Sequence, residues 1–428
     1  MDETTYDAWA DILIEHALDI ETGDLVAISY QEQSKDLALA AYEKVLDKGA
    51  YPIADRTDPA FKRSFYEEAS EAVLDEIPDH ELEKQRTLDA RISIKTPTGA
   101  YEDVEPERMA ERNKARRALR DERKDTYEWT LTQAPTEYSA EQADMSYEEF
   151  ESFVIDACVK DWEQEAQAYE ELKDVVDAGE EVRILGEKTD LRFEIGEQDG
   201  INRIGVLSDG TNNVPGGEVF TAPIKETVNG TVYFDIPAVI NDQAVEGVSV
   251  TFEDGEVTEY SAETGEAYLE QLLEADEHAG YLGEFGIGTN FDIQEPTRNI
   301  LFDEKIGGTI HLAFGNAYED CFQREVGTEW LDHHGLDEDA YQTVIDQTQD
   351  HLRAKTFDSF IETLDEQQKA VARDYKEAWD ELDETVQEQK NVSTTHQDLI
   401  KDLRDEGSLL IDGDLIMHEG TFIGFDQL

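Results

Sequence analysis

Three short segments place metal-ligating residue types among glycines. The first is Asp209-Gly210-Thr211-Asn212-Asn213-Val214-Pro215-Gly216-Gly217-Glu218-Val219-Phe220-Thr221-Ala222-Pro223. Its Gly, Asn and Pro content reads as a loop, and the glycines let backbone come close to Glu218. The second, Leu282-Gly283-Glu284-Phe285-Gly286-Ile287-Gly288-Thr289-Asn290, again sets a carboxylate, Glu284, between glycines. The third is His311-Leu312-Ala313-Phe314-Gly315-Asn316-Ala317-Tyr318. If helical, its spacing puts His311 and Tyr318 on one face. Near the C-terminus, His396-Gln397-Asp398 sets an imidazole and a carboxylate on one side of an extended segment.

Two Glu, two His, an Asp and a Tyr could together ligate one or two divalent ions. Glycine turns with incidental polar residues are the competing reading. Of the nine histidines, none lies in a HExxH or HxxEH pattern, and no CxxC is present. Most of them read as ordinary surface or helix residues.

These residues need elements to hold them. Ala8, Trp9, Ile12, Leu13 and Ala17 predict an opening helix, Leu25 to Tyr30 a buried strand, and Leu37 to Leu46 a second helix ending at Gly49. That order predicts an α/β domain over residues 1–185. Six arginines between Tyr101 and Glu128 (Arg108, Arg112, Arg116, Arg117, Arg120 and Arg123) read as a solvated helix, with a cleft-facing set as the alternative. Ser146, with Glu149 three residues on, predicts a helix cap. From about Glu181 the chain reads as short strands, with Asp254-Gly255 as a hairpin turn. The expected fold class is α/β: an N-terminal α/β domain followed by a β-rich α+β catalytic domain over 186–428. Three apolar stripes predict a helical insertion at about 323–389, either laid on the core or acting as a contact surface or lid.

Composition narrows the function. Asp and Glu number 103 against 36 Lys and Arg, a formal net charge of -67 over 428 residues. Such self-repulsion is screened in molar salt, which fits a salt-adapted protein needing salt to fold. With aromatics spread throughout, a disordered acidic chain fits poorly. The field repels phosphate backbones, so nucleic acid is not an expected partner. No apolar run of membrane-spanning length and no signal-like N-terminus occur, so a cytoplasmic protein is expected. Cys158 and Cys321 read as core residues.

In combination the segments resemble the M29 family of metallo-aminopeptidases, of the aminopeptidase T and AmpS type, in a haloarchaeal-like form. The likeness is carried by Pro215 to Pro223, Gly230-Thr231-Val232, the hairpin around Phe252 to Gly255, and Leu282-Gly283-Glu284. It continues through Asn299 to Lys305, His311 to Gly315, Asn391 to Asp398 and Leu410 to Gly413. The resemblance implies that Glu218, Glu284, His311, Tyr318, His396 and Asp398 are metal-site residues. It also implies a pair of divalent ions, a homodimer, and removal of N-terminal amino acids from peptides; oxygen-rich ligation with two His suits Zn, Co or Mn, and paired metals supply a metal-activated water as the attacking group. Under that reading Glu284 is the expected general base, with ligation as its competing role, and Tyr318 the donor to the oxyanion. Two features depart from the family: the long stretch from about 323 to 389, and Thr395 before His396 in place of an apolar residue. The rival readings are a related metal-dependent hydrolase and a non-catalytic cation-binding or assembly protein that uses the helical segment.

Overall fold

A computed structural model describes residues 3–101, 104–116, 119, 127–240, 243–323, 338–353, 356–425 and 428. The mixed α/β architecture expected from the sequence is present. Leu25–Tyr30 lies between Tyr51–Arg56 and Ala90–Lys95, parallel to both, and Glu128–Gln133 follows beyond Ala90–Lys95. Parallel neighbours require a crossover, and helix Lys35–Asp47 supplies one, burying Leu37, Ala38, Ala41 and Val45. Ser146 caps helix Tyr147–Cys158 in a reciprocal box with Glu149, as the spacing predicts.

The fifth strand of this sheet, Asn213–Val214, arrives from far along the chain and pairs in parallel with Glu128–Gln133. Thr132 Oγ1 donates to the Val214 carbonyl at 2.8 Å. Val214, Ile293, Leu301, Phe302 and Ile306 join Trp9, Leu13, Val26 and Ile92 in one apolar cluster. The parallel sheet therefore hands the chain directly to Gly216, Gly217 and Glu218.

Among the described residues the rest of the second half holds four antiparallel sheets, two large ones of eight and five strands and two small ones of three and two. The eight-stranded sheet includes the hairpin Val248–Glu253 and Glu256–Ser261, turned at Asp254 and Gly255, which both have positive φ. The five-stranded one runs in the order His396–Asp402, Thr309–Gly315, Leu282–Gly288, Glu218–Thr221, Val206–Ser208. Alternation gives each of its strands one apolar face. Val219, Phe285, Ile287, Ile310, Leu312, Phe314 and Leu399 pack with the inward side chains of the larger sheet. Phe285 meets Phe193, and Phe314 meets both Phe234 and Phe252, at centroid separations of 5.2 to 6.2 Å. The opposite face of the five-stranded antiparallel sheet is left for polar residues.

Helices Glu338–Arg353, Phe357–Ile361 and Glu366–Gln389 form the helical insertion, with a small core of Val344, Phe360, Val371, Tyr375 and Trp379. Val386 and Leu382, near its end, pack with Ala317, Cys321 and Ala222.

Three expectations need correction. Thr309–Gly315 is a strand, so His311 and Tyr318 share no helical face. A short apolar run buried on both sides has no periodicity to separate the two states. The segment 209–223 is not all loop, because Asn213–Val214 and Glu218–Thr221 are strands. Within the arginine-rich stretch, helix Pro106–Ala115 is not simply solvated: Arg112 is buried and donates to the carbonyls of Leu74 and Glu76. Arg108 likewise donates to the carbonyls of Tyr66 and Ala69, while Arg117, Arg120 and Arg123 lie outside the described residues. Cys158 and Cys321 are buried free thiols.

Candidate metal centre

Register places the candidate residues on one face of the five-stranded antiparallel sheet. Glu218 pairs with Gly288, Gly286 with His311, Ala313 with both Glu284 and Asp398, and Gly315 with His396. Directly opposed residues share a face, so Glu218, Glu284, His311, His396 and Asp398 converge. Small residues stand beside each of them. A Cβ on Gly286 would lie 2.0 Å from His311 Cε1, in the space the imidazole fills. Tyr318 follows the His311 strand in a loop and sets its ring 4.5 Å from that of His396 and 6.1 Å from Phe220.

The convergence forms two clusters with a shared member. Glu218, Glu284 and His311 offer ligand atoms within 4.8 Å of one another, and so do Glu284, His396 and Asp398. Glu284 Oε1 lies 3.1 Å from His311 Nε2, and its Oε2 lies 3.8 Å from His396 Nε2. Glu218 Oε2 is 3.4 Å from His311 Nε2, and Asp398 Oδ2 is 3.8 Å from His396 Nε2. The site grades from deep to open. His311 is fully buried, Glu218 and Glu284 are 5% exposed, and Tyr318 at the outer end is 38% exposed.

Backbone carbonyls set both imidazoles. His311 Nδ1 lies 3.0 Å from the Glu304 carbonyl oxygen, and His396 Nδ1 lies 2.7 Å from that of Asn316. A carbonyl only accepts, so each Nδ1 carries the proton and each Nε2 faces the carboxylates.

Three observations test whether the donor set suits divalent cations. Glu218 Oε2, Glu284 Oε2 and Asp398 Oδ1 are buried without a hydrogen-bond partner among the described residues. Burial opposes charge on His311, yet the carboxylates of Glu284, Glu218 and Asp398 outweigh it and lift the imidazole to about 10. Burial likewise opposes charge on His396, and Asp398 and Glu284 raise it nonetheless. The residues fit a site for hard or borderline divalent ions.

Surrounding groups hold the site rigid. Gly217 adopts a positive φ, and a Cβ there would meet Asn290 Cβ at 2.4 Å. Asn290 uses that close approach to donate to the carbonyls of Gly216 and Ala157, and it accepts from Lys160 at 2.8 Å. The His396 strand is anchored by Asn391, which donates to the carbonyls of His278, Tyr281 and Gly315. Asp276 accepts from Ser393 and from both the backbone and hydroxyl of Thr394.

The sequence marks Lys305 only as the last residue of the stretch Asn299 to Lys305, with no role at the site. Lys305 is completely buried, with Nζ 3.4 Å from Glu218 Oε1 and in contact with the Glu304 carboxylate. Burial works against its charge, but Glu218 and Glu304 more than compensate and raise it above the ordinary lysine range. Burial also pushes Glu218 up to about 7, against the pull of Lys305 and His311. Adjacent opposite charges within the otherwise apolar stretch Ile300 to Ile306 are the signal that could have found this residue. Desolvation on the side packed against the site, together with the Glu284 and Asp398 carboxylates, raises Tyr318, so its phenol stays protonated and able to donate.

Comparison with known proteins agrees with this geometry. A family model described as thermophilic metalloprotease (M29) matches residues 2–343. The match stops before His396 and Asp398, whose place beside the other three comes from strand pairing. Aminopeptidase 2 of Geobacillus stearothermophilus is 26% identical over 377 residues, spanning 78% of this chain and 90% of that protein. Aminopeptidase T of Thermus aquaticus is 38% identical over a shorter stretch of 121 residues, 28% of this chain and 30% of its own. The solved structure of wild-type AmpT from Thermus thermophilus has the same fold, with a TM-score of 0.72 at 21% identity, covering 98% of this chain and 99% of that one.

Proposed function

Because the chain belongs to the thermophilic metalloprotease family M29, we propose that it is a two-metal aminopeptidase that removes N-terminal residues from peptides. The observation that carries this reading is the pair of three-residue clusters sharing Glu284, with both imidazole Nε2 atoms turned toward carboxylates. Glu218, Glu284 and His311 would hold one ion, and Glu284, His396 and Asp398 the other. Such ions (Zn, Co or Mn) make water more acidic and polarise a carbonyl oxygen.

The chain's own residues supply the rest. With the carboxylates occupied in holding two ions, a free substrate amine would be preferred over a blocked one because its nitrogen lone pair can serve a metal ion as a ligand and an acylated nitrogen cannot. Glu284 faces one cluster with each oxygen, which supports ligation of both ions as its first role, with proton acceptance at Oε2 as the competing one. The Tyr318 hydroxyl stands at the open end and donates to the oxygen that gains charge when the carbonyl is attacked. Val386 and Leu382 of the insertion pack beside the loop that carries Tyr318, so the insertion borders the entrance. Among the described residues no helix is long and apolar enough to cross a membrane. A cytoplasmic homodimer in a salt-adapted cell belongs to the same proposal, supported by the family resemblance and by the net charge of -67.

The test is an assay of metal-stripped protein in about 3 M KCl, where repulsion is screened. Leucine and other aminoacyl p-nitroanilides serve as substrates, with Zn, Co, Mn or Mg restored singly. Metal-restored release that disappears when the substrate amine is acetylated is expected. Folded protein inactive with every ion would overturn the reading.

A further inference from the structure

The two clusters have three ligands each and share one, yet their surroundings differ. In the deeper half, Glu218 Oε1 is already engaged by the buried Lys305 ammonium at 3.4 Å, which leaves Oε2 free of hydrogen bonds. In the outer half, neither oxygen of Asp398 meets a lysine or arginine among the described residues, and its one ion-pair contact is His396 at 3.8 Å. We infer that Lys305 makes the two halves unequal, so that the His396–Asp398 half binds a divalent ion tightly and the Glu218–His311 half binds the second ion weakly and exchangeably. This rests on the two-metal reading above.

The physical basis is local. An ammonium bound to a ligating carboxylate withdraws charge from it and repels an incoming cation, and both effects are strong where water is excluded. Lys305 cannot leave easily, because it has no exposed surface and its second contact is the Glu304 carboxylate. Glu304 offsets part of the lysine's charge, so it sets how strongly Lys305 acts on Glu218. The same residue holds His311 through its backbone carbonyl, a contact that side-chain substitution leaves in place. Lys305 is thus a positioning residue that regulates occupancy of the deeper half.

Calorimetric titration of metal-stripped full-length protein with Zn²⁺, in high salt and without substrate, tests this. Two binding steps separated by at least about tenfold are expected, the size of effect a nearby buried charge can exert. E218Q should remove the weak step and D398N the tight one. K305M should narrow the gap, and K305R should keep it. If K305M does not fold, E304Q serves in its place, since it leaves the lysine charge on Glu218 uncompensated and should widen the gap. Equal affinities in the unmodified protein, or a gap unmoved by both K305M and E304Q, would overturn the inference. Unequal Zn²⁺ binding in a protein that cleaves no aminoacyl substrate would leave the inference standing and remove the peptidase reading instead.

Discussion

Gly286 lies directly across from His311 in the strand pairing, and the imidazole occupies the space where a side chain on Gly286 would be. The glycine is therefore part of the site without bearing any ligand. G286A should force the ring aside, because its Cβ would fall 2.0 Å from His311 Cε1. Bound zinc is expected to fall from two ions toward one per chain, with a loss of about 1–3 kcal/mol in stability from overpacking. Metal analysis and thermal unfolding of the same preparation measure both. Full zinc content in G286A would show that the ring has other room.

Glu284 is common to both clusters, so its substitution separates two roles. E284Q should leave the fold intact and lower kcat by about 10³ or more, within the span of losses seen on removing essential catalytic groups. If ligation is the first role, zinc content falls along with kcat. Retention of both ions with turnover lost would instead assign the carboxylate to proton transfer.

Much of this arrangement was legible in the sequence for definite reasons. Leu25 to Tyr30, the Ser146 cap and the Asp254-Gly255 turn carry local signals, and the structure has each of them. Glu218 and Glu284 stand out because glycines flank them. His311 was harder to read: its strand is buried on both faces, so the alternation that marks a strand is missing. The role of Lys305 was missed because a buried lysine is recognised by what it touches, and Glu218 is far from it in sequence. The entry of Asn213–Val214 into the N-terminal sheet is a long-range pairing of two residues, too short for any local pattern to reveal.

Asp276, which braces the segment leading into His396, offers a pH test of stability. Burial pulls its carboxyl upward, but hydrogen bonds from the Thr394 hydroxyl and backbone, the Ser393 hydroxyl and the His278 backbone outweigh this and hold it at about 2. The unfolded value is about 3.9, so the folded pKa is depressed. Its contribution is fully present above the unfolded value and is lost as pH falls through about 2. Allowing for solvent screening at this partly exposed residue, the contribution is about 1 kcal/mol. D276N should be less stable than the parent at pH 6, with the difference shrinking between pH 4 and pH 2. Denaturant melts across that window measure it, and a constant difference would contradict the assignment.

The net charge of -67 sets an expectation for the whole chain. Repulsion between exposed carboxylates is long-ranged in dilute buffer and confined to about 3 Å in 1 M salt. Structure followed by circular dichroism should be lost on dialysis below about 1 M KCl and return when salt is restored. Unchanged folding at low ionic strength would refute the salt-adapted reading without touching the metal site.

Tyr318 lies against His396 at the open end of the site, and its phenol keeps its proton under the influence of desolvation on its packed side and the Glu284 and Asp398 carboxylates. A group that must donate to a developing oxyanion differs from a ligand in what its removal changes. Y318F preserves the ring contacts with His396 and Phe220 and deletes only the hydroxyl. If that hydroxyl acts on the transition state, kcat should drop by about 10²–10³ while KM and zinc content stay close to those of the parent. Loss of zinc together with kcat would make Tyr318 a ligand, as the family resemblance alone implied. Because the substitution leaves packing nearly untouched, parallel zinc analysis and steady-state kinetics decide between the two roles.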